Sequence, residues 1–181
     1  YDILIREGLV IDGSGGEPFT SDIAIKDGII QGFEGGPAAE TIDAKGLVVT
    51  PGFVDMHTHY DGQVTWEERL RPSTQHGVTT VLMGNCGVGF APARLDQHEL
   101  IIKLMEGVED IPEVVMEVGV PWGWETFPEY LDALEKRTCD ADFATQIPHS
   151  PLRVSVIGER GAKLEPPTQE DRDAMRRLTC E

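Results

Sequence analysis

Two histidines one residue apart, His57 and His59, and a cysteine further along, Cys86, are the side chains of this chain best suited to chemistry. Within a strand, residues two apart leave the same face, so both imidazoles can converge on one ion. Asp55 shares that parity and is a candidate partner for a ligand or an end-of-strand turn residue. Imidazole suits zinc and its neighbours, and an open coordination position leaves room for an activated water. A bare His-X-His is equally what a surface or core pair of histidines looks like. Cys86 falls just past the next apolar run, where side chains of adjacent parallel strands meet at the mouth of a sheet. As a thiolate it is an excellent zinc ligand. As a thiol it is a small buried hydrophobe, and with His57 or His59 as its base it is a nucleophile. The residue alone leaves all three readings standing.

Elements must carry these groups. Residues 3–11, 23–25 and 29–33 are short apolar runs separated by Asp12-Gly13-Ser14-Gly15-Gly16 and Asp27-Gly28, which predicts tight strands and hairpins. Neither residues 13–16 nor residues 32–36 carry the Lys-Ser/Thr or the helix start of a phosphate loop, so both are read as turns. After Pro51-Gly52 the pattern changes. Residues 53–59 read as a strand, 67–70 as helical, 77–83 as a second strand and 143–147 as a third. Leu100, Ile101, Leu104, Met105 and Val108 fall at helical spacing within 95–108, as do Phe127, Tyr130, Leu131 and Leu134 within 124–137. Strands alternating with helices predict a parallel sheet, open or closed into a barrel. A complete eight-stranded barrel needs roughly 250 residues, and about 130 follow residue 50. The expectation is therefore a small open α/β sheet or the front of something longer. Thr168 caps a helix over residues 167–181 that meets no Gly or Pro, so the sequence reads as cut there, and Tyr1 reads as following a start or a tag.

Composition narrows the class. Hydrophobic residues make up 40% and charged residues 26%, as in an ordinary folded domain. With 32 acidic against 15 basic residues the net charge is −17, which repels phosphate backbones and anionic membrane surfaces and argues against both as partners. Cys86, Cys139 and Cys180 are an odd, widely spaced set, and no basic leader or apolar h-region opens the chain, which points to a reducing, cytoplasmic setting. No apolar run approaches the roughly 18 residues of a membrane span.

Residues 50–63, Thr-Pro-Gly-Phe-Val-Asp-Met-His-Thr-His-Tyr-Asp-Gly-Gln, together with residues 76–92, which contain Gly84-Asn85-Cys86-Gly87, closely resemble the amidohydrolase superfamily. More narrowly, they resemble its N-acyl-D-amino-acid deacylase (D-aminoacylase) group. Residues 107–112, Pro121-Trp122-Gly123-Trp124 and residues 149–154 add to the resemblance, which runs essentially end to end. His-X-His after Pro-Gly-Phe-Val-Asp is common to the superfamily, whereas Gly-Asn-Cys-Gly marks the deacylase group. Met56 stands where that group has a proline.

The resemblance implies an α/β fold: the N-terminal portion of a metal-dependent (β/α)8 TIM-like barrel, residues 51–181, preceded by part of a small β-sandwich, residues 1–50. It implies His57, His59 and Cys86 as metal ligands and one or two Zn2+ ions. It places two further histidine ligands and the general-base aspartate on later strands, beyond residue 181. The implied activity is zinc-dependent hydrolysis of a linear C–N amide bond in a small N-acyl D-amino acid, with this stretch inactive by itself. Its rivals are a cyclic-amide hydrolase of the hydantoinase or dihydroorotase kind, a deaminase, and a non-catalytic truncated domain. The oligomeric state is left open.

Other side chains carry two readings each. His149, at the end of the third strand, is a substrate contact or a structural hydrogen-bonder. Arg153 binds a substrate carboxylate, to which a guanidinium fork is suited, or makes a salt bridge. Asp61 orients a ligand imidazole or shapes a turn. His76 and His98 are assigned to helix surfaces, and Cys139 and Cys180 to structural thiols. Glu109, Asp110, Trp122 and Trp124 are assigned to a loop and its packing, with a substrate lid as the second reading.

Overall fold

The computed structural model describes residues 1–109 and 111–181; Asp110 lies outside the described residues, as does the side chain of Glu109. The chain forms two compact units, Tyr1–Gly52 and Phe53–Glu181.

The first unit is a five-stranded sheet. Strands β1 (Ile3–Val10), β2 (Phe19–Lys26) and β3 (Ile29–Gly32) are antiparallel neighbours, while β4 (Glu40–Asp43) and β5 (Val48–Val49) run parallel to β1 on its other edge. The apolar runs predicted β1 to β3, whereas β4 is too polar and β5, at two residues, too short to stand out. Leu4, Val10, Ile23, Ala24 and Ala44 are buried here.

The second unit holds a three-stranded parallel sheet in the order β6 (Phe53–Asp55), β7 (Val78–Met83), β8 (Asp142–Thr145). Strand β7 sits in the middle, with Val81 and Met83 fully buried and the alternate residues half-covered. That pattern is expected of a central parallel strand with both faces occupied. The expected strand over residues 53–59 is shorter than its apolar run suggests: pairing stops at Asp55, and His57 and His59 lie in the loop beyond it.

Residues 67–70 are not helical either. The path from β6 to β7 uses 3-10 turns at Gln63–Thr65 and Ser73–His76, and Leu70 takes a positive φ of 44° immediately before Arg71-Pro72. A proline restricts the backbone of the residue before it, and four residues are too few to nucleate a helix against that break.

Between β7 and β8 run α1 (His98–Glu109), α2 (Glu113–Gly119) and α3 (Phe127–Glu135). Helix α1 presents Ile101, Ile102 and Met105 to a core shared with Met116 of α2 and Tyr130 and Leu134 of α3. Helix α3 starts where its cap dictates: Thr126 Oγ1 accepts from the Glu129 N–H at 3.3 Å, and the Glu129 carboxylate accepts from the Thr126 N–H at 2.9 Å. Such a reciprocal cap satisfies two otherwise orphaned donors. After β8 come α4 (His149–Ile157), α5 (Glu159–Ala162) and α6 (Gln169–Thr179), the last capped by Thr168. No described helix is long and apolar enough to cross a membrane.

Candidate metal centre

The loop after β6 is held by its neighbour β7 although it is no longer part of the sheet. Asp55 Oδ1 accepts from the His57 N–H at 3.2 Å, turning the chain as it leaves the strand. Thr58 then donates twice to the Leu82 carbonyl of β7, through its N–H and through Oγ1, both at 2.9 Å. Thr58 is thereby drawn inward to 7% exposure. Its two neighbours are left on the opposite side together, and the imidazoles of His57 and His59 lie with centroids 5.5 Å apart and planes 22° apart.

Cys86 reaches the same place from the end of β7. The chain reverses at Gly84, where φ is +79°, and the Gly87 N–H closes the turn on the Gly84 carbonyl at 3.0 Å. A side chain cannot be accommodated at Gly84: a Cβ there would lie 2.2 Å from the backbone oxygen of Gln146. The Asn85 amide donates to the Met56 carbonyl, joining the cysteine turn to the histidine segment. One ligand atom from each of His57, His59 and Cys86 lies within 4.8 Å of the others. Two imidazole nitrogens and a sulfur are ligand types that zinc takes, and donors this close are within reach of one ion. His57 and Cys86 are exposed and His59 is half-buried, and the two histidines border an open recess.

That recess, about 330 Å³, is also lined by Tyr60, Gln63 and Arg71 beside the two histidines. None of the three stands out in the sequence, because they belong to an irregular stretch whose direction only the folded loop defines.

The other candidates are distributed differently. His149 does not end a strand; it opens α4, with Pro148 preceding it as cap. It remains beside the cysteine turn, its Cβ lying 3.5 Å from the position a Cβ on Gly87 would occupy, and the Ser150 N–H donates to the Gly87 carbonyl at 2.7 Å. The Arg153 guanidinium donates to the backbone carbonyl of Glu165 at 2.7 Å, so it ties α4 to the segment after α5.

His76 is exposed in a 3-10 turn. His98, expected on a helix surface, is instead half-buried at the start of α1, with its ring parallel to Trp122 at 3.8 Å. Burial there pushes its pKa down, against the opposing effects of the Ala93 backbone, Glu125 and Asp96. Trp124 is buried and donates to the Phe90 carbonyl at 2.9 Å. Cys139 is half-buried, which raises its thiol pKa, and Cys180 is exposed.

Asp61 lies deeper than the three candidate ligands. It is 1% exposed, and burial pushes its pKa up to about 7 against the lowering effect of the backbone N–H groups of Asp61 and Gly84.

Residues 40–180 match the model of the family described as the amidohydrolase family. The chain belongs to the amidohydrolase family. An uncharacterized protein of Mycobacterium tuberculosis is 38% identical over 165 residues, taking in 87% of this chain and 26% of that protein. The N-acyl-D-aspartate deacylase of Alcaligenes xylosoxydans xylosoxydans is 33% identical across 99% of this chain and 34% of its own length, and the D-aminoacylase of the same organism is 34% identical across 100% and 35%. Among solved structures, the N-acyl-D-glutamate deacylase of Bordetella bronchiseptica, complexed with zinc and a phosphonate inhibitor, superposes with a TM-score of 0.72 at 28% identity. It covers 98% of this chain and 35% of that one. This amidohydrolase chain thus spans between about a quarter and a third of the length of the curated relatives it matches, and it corresponds to the N-terminal part of the deacylase structures.

Proposed function

We propose that this amidohydrolase chain carries the first metal ligands of a zinc-dependent enzyme that removes an N-acyl group from a D-amino acid. The observation that carries the reading is the convergence of His57, His59 and Cys86 from the ends of two adjacent parallel strands to within 4.8 Å. The deacylases among its relatives, one of them solved with zinc, support both the metal and the substrate class. When bound, zinc supplies Lewis acidity for an amide carbonyl and for the attacking water.

The chain's own residues supply the rest of the geometry. Asp55 and Thr58 set the two imidazoles side by side, Asn85 fixes the cysteine turn against them, and the recess at Tyr60 and Gln63 gives a small substrate access. His149 is our candidate for a substrate contact, since it borders the cysteine turn. Arg153 is a second candidate for a substrate carboxylate, since its bond to the Glu165 carbonyl engages only one guanidinium nitrogen and a guanidinium carries five donors. The remaining ligands and the general-base aspartate are assigned beyond residue 181, within a (β/α)8 barrel that β6 to β8 would open. Residues 1–50 are assigned to part of a small β-sandwich.

The test is the double variant His57→Ala/His59→Ala in the full-length protein, with zinc content and turnover of N-acetyl-D-amino acids measured on the same sample. Both should fall to background. Wild-type turnover with normal metal content would overturn the assignment. Preference for hydantoins over N-acetyl-D-amino acids in the unmodified protein would move the reaction to cyclic amides.

A further inference from the structure

The Asp61 carboxyl stands outside the group of donors that close on one another, yet it is among the most deeply buried polar groups of the second unit. Its backbone is held from below, where the Tyr130 hydroxyl of α3 donates to the Asp61 carbonyl at 2.8 Å. Its side chain is directed at the turn that bears Cys86. The Gly84 backbone N–H faces the carboxylate and favours its charged form, and a Cβ on Gly89 would lie 3.0 Å from Oδ1 and 2.7 Å from Pro148 Cγ. The carboxyl therefore meets both ends of residues 84–89, with the cysteine between them. The other oxygen, Oδ2, is buried and accepts no hydrogen bond from the described residues.

A residue needed only to shape a turn gains nothing from this placement. Burying a carboxyl with part of its acceptor capacity unused costs free energy that an exposed turn aspartate never meets. The placement gains a mechanical connection. Asp61 follows His59 by two residues, so the segment that carries both imidazoles is packed directly against the segment that carries the thiol.

We propose that Asp61 is a positioning residue that holds the Cys86 turn at the distance from His57 and His59 that a shared metal ion requires. The inference rests on the metal reading above, and it assigns Asp61 to the thiol-bearing turn, whereas its sequence context offers a ligand imidazole or a simple turn. Groups that orient metal ligands without touching the ion commonly change metal affinity by about 10- to 100-fold when removed.

The experiment uses the full-length protein loaded with Co(II), whose thiolate charge-transfer absorption reports Cys86 coordination, with zinc affinity measured by chelator competition. Asp61→Ala should bind zinc about 10- to 100-fold more weakly and lose or shift the cobalt band. Asp61→Asn keeps an oxygen that can accept from Gly84 and should restore most of the band. An aspartate with a merely structural role would lower the melting temperature of the metal-free protein but leave the band of the folded fraction unchanged. An Asp61→Ala protein with the wild-type band and affinity overturns the positioning role alone, while a wild-type protein with no thiolate band overturns the metal reading with it. Should Asp61→Ala not fold, hydrogen exchange of the metal-free wild type decides: the Gly84 amide is expected to be protected, and exchange at the rate of an open loop overturns the inference.

Discussion

Residues 57–59 and residues 60–65 are consecutive parts of one loop and do opposite things. In the first part His57 is exposed and His59 half-buried, with Thr58 alone turned inward. In the second, Tyr60, Asp61, Gly62, Val64 and Thr65 are buried, and their polar groups are largely satisfied internally. The Tyr60 hydroxyl donates to the Leu70 carbonyl at 3.0 Å, and Thr65 Oγ1 donates to the Gly62 carbonyl at 2.7 Å. The candidate ligands thus stand at a rim that contributes little to the core, and the residues that aim them form its floor. Ligand side chains must stay accessible to an ion and a substrate, whereas aiming them requires packing and closed hydrogen bonds, which accessible residues cannot supply.

The contrast can be broken most severely at the floor. Gly84→Ala introduces a Cβ 2.2 Å from a backbone oxygen at a left-handed φ, and neither fault has a flexible side chain to absorb it. A loss of at least about 2 kcal/mol is expected from the backbone conformation and the overlap, read as a fall in the unfolding midpoint, with the cobalt band lost as well. A midpoint within error of wild type would show that the β7 turn adapts. A milder change, Tyr130→Phe, removes the hydroxyl that supports the Asp61 carbonyl at 2.8 Å. It should cost about 1–2 kcal/mol in denaturant unfolding, the usual range for a buried hydrogen bond that leaves an acceptor unpaired. The smallest effect belongs to the rim: in metal-free protein His57→Ala should change stability by no more than about 0.5 kcal/mol, as for exposed substitutions generally. A larger loss would place His57 in the floor and erase the distinction.

Much of this was legible in the sequence, for reasons that differ by residue. The parallel strands β7 and β8 and helices α1 and α3 follow from apolar spacing, and Thr168 announces the start of α6. The pairing of His57 with His59 was foreseen on strand parity, but pairing ends at Asp55, and the shared side comes from Thr58 bonding to Leu82. His149, expected at the end of the third strand, instead opens α4 with Pro148 as its cap, because strand pairing stops at Thr145. His98 read as a surface residue because Trp122, which covers it, is distant in sequence.

By itself the sequence determined the residue types at the candidate centre, the parallel strands that bring them in, and a resemblance specific enough to identify the family. These depend on identity and local spacing, which a linear chain displays. Tertiary structure alone decided that Asp61 is buried, that Gly84 leaves room for the Gln146 backbone and Gly89 for the Asp61 carboxyl, and that Tyr130 and Leu82 hold the two parts of the ligand loop in place. Burial and close approach between residues 20 to 70 positions apart are properties of packing, and no local pattern encodes which distant atoms will meet.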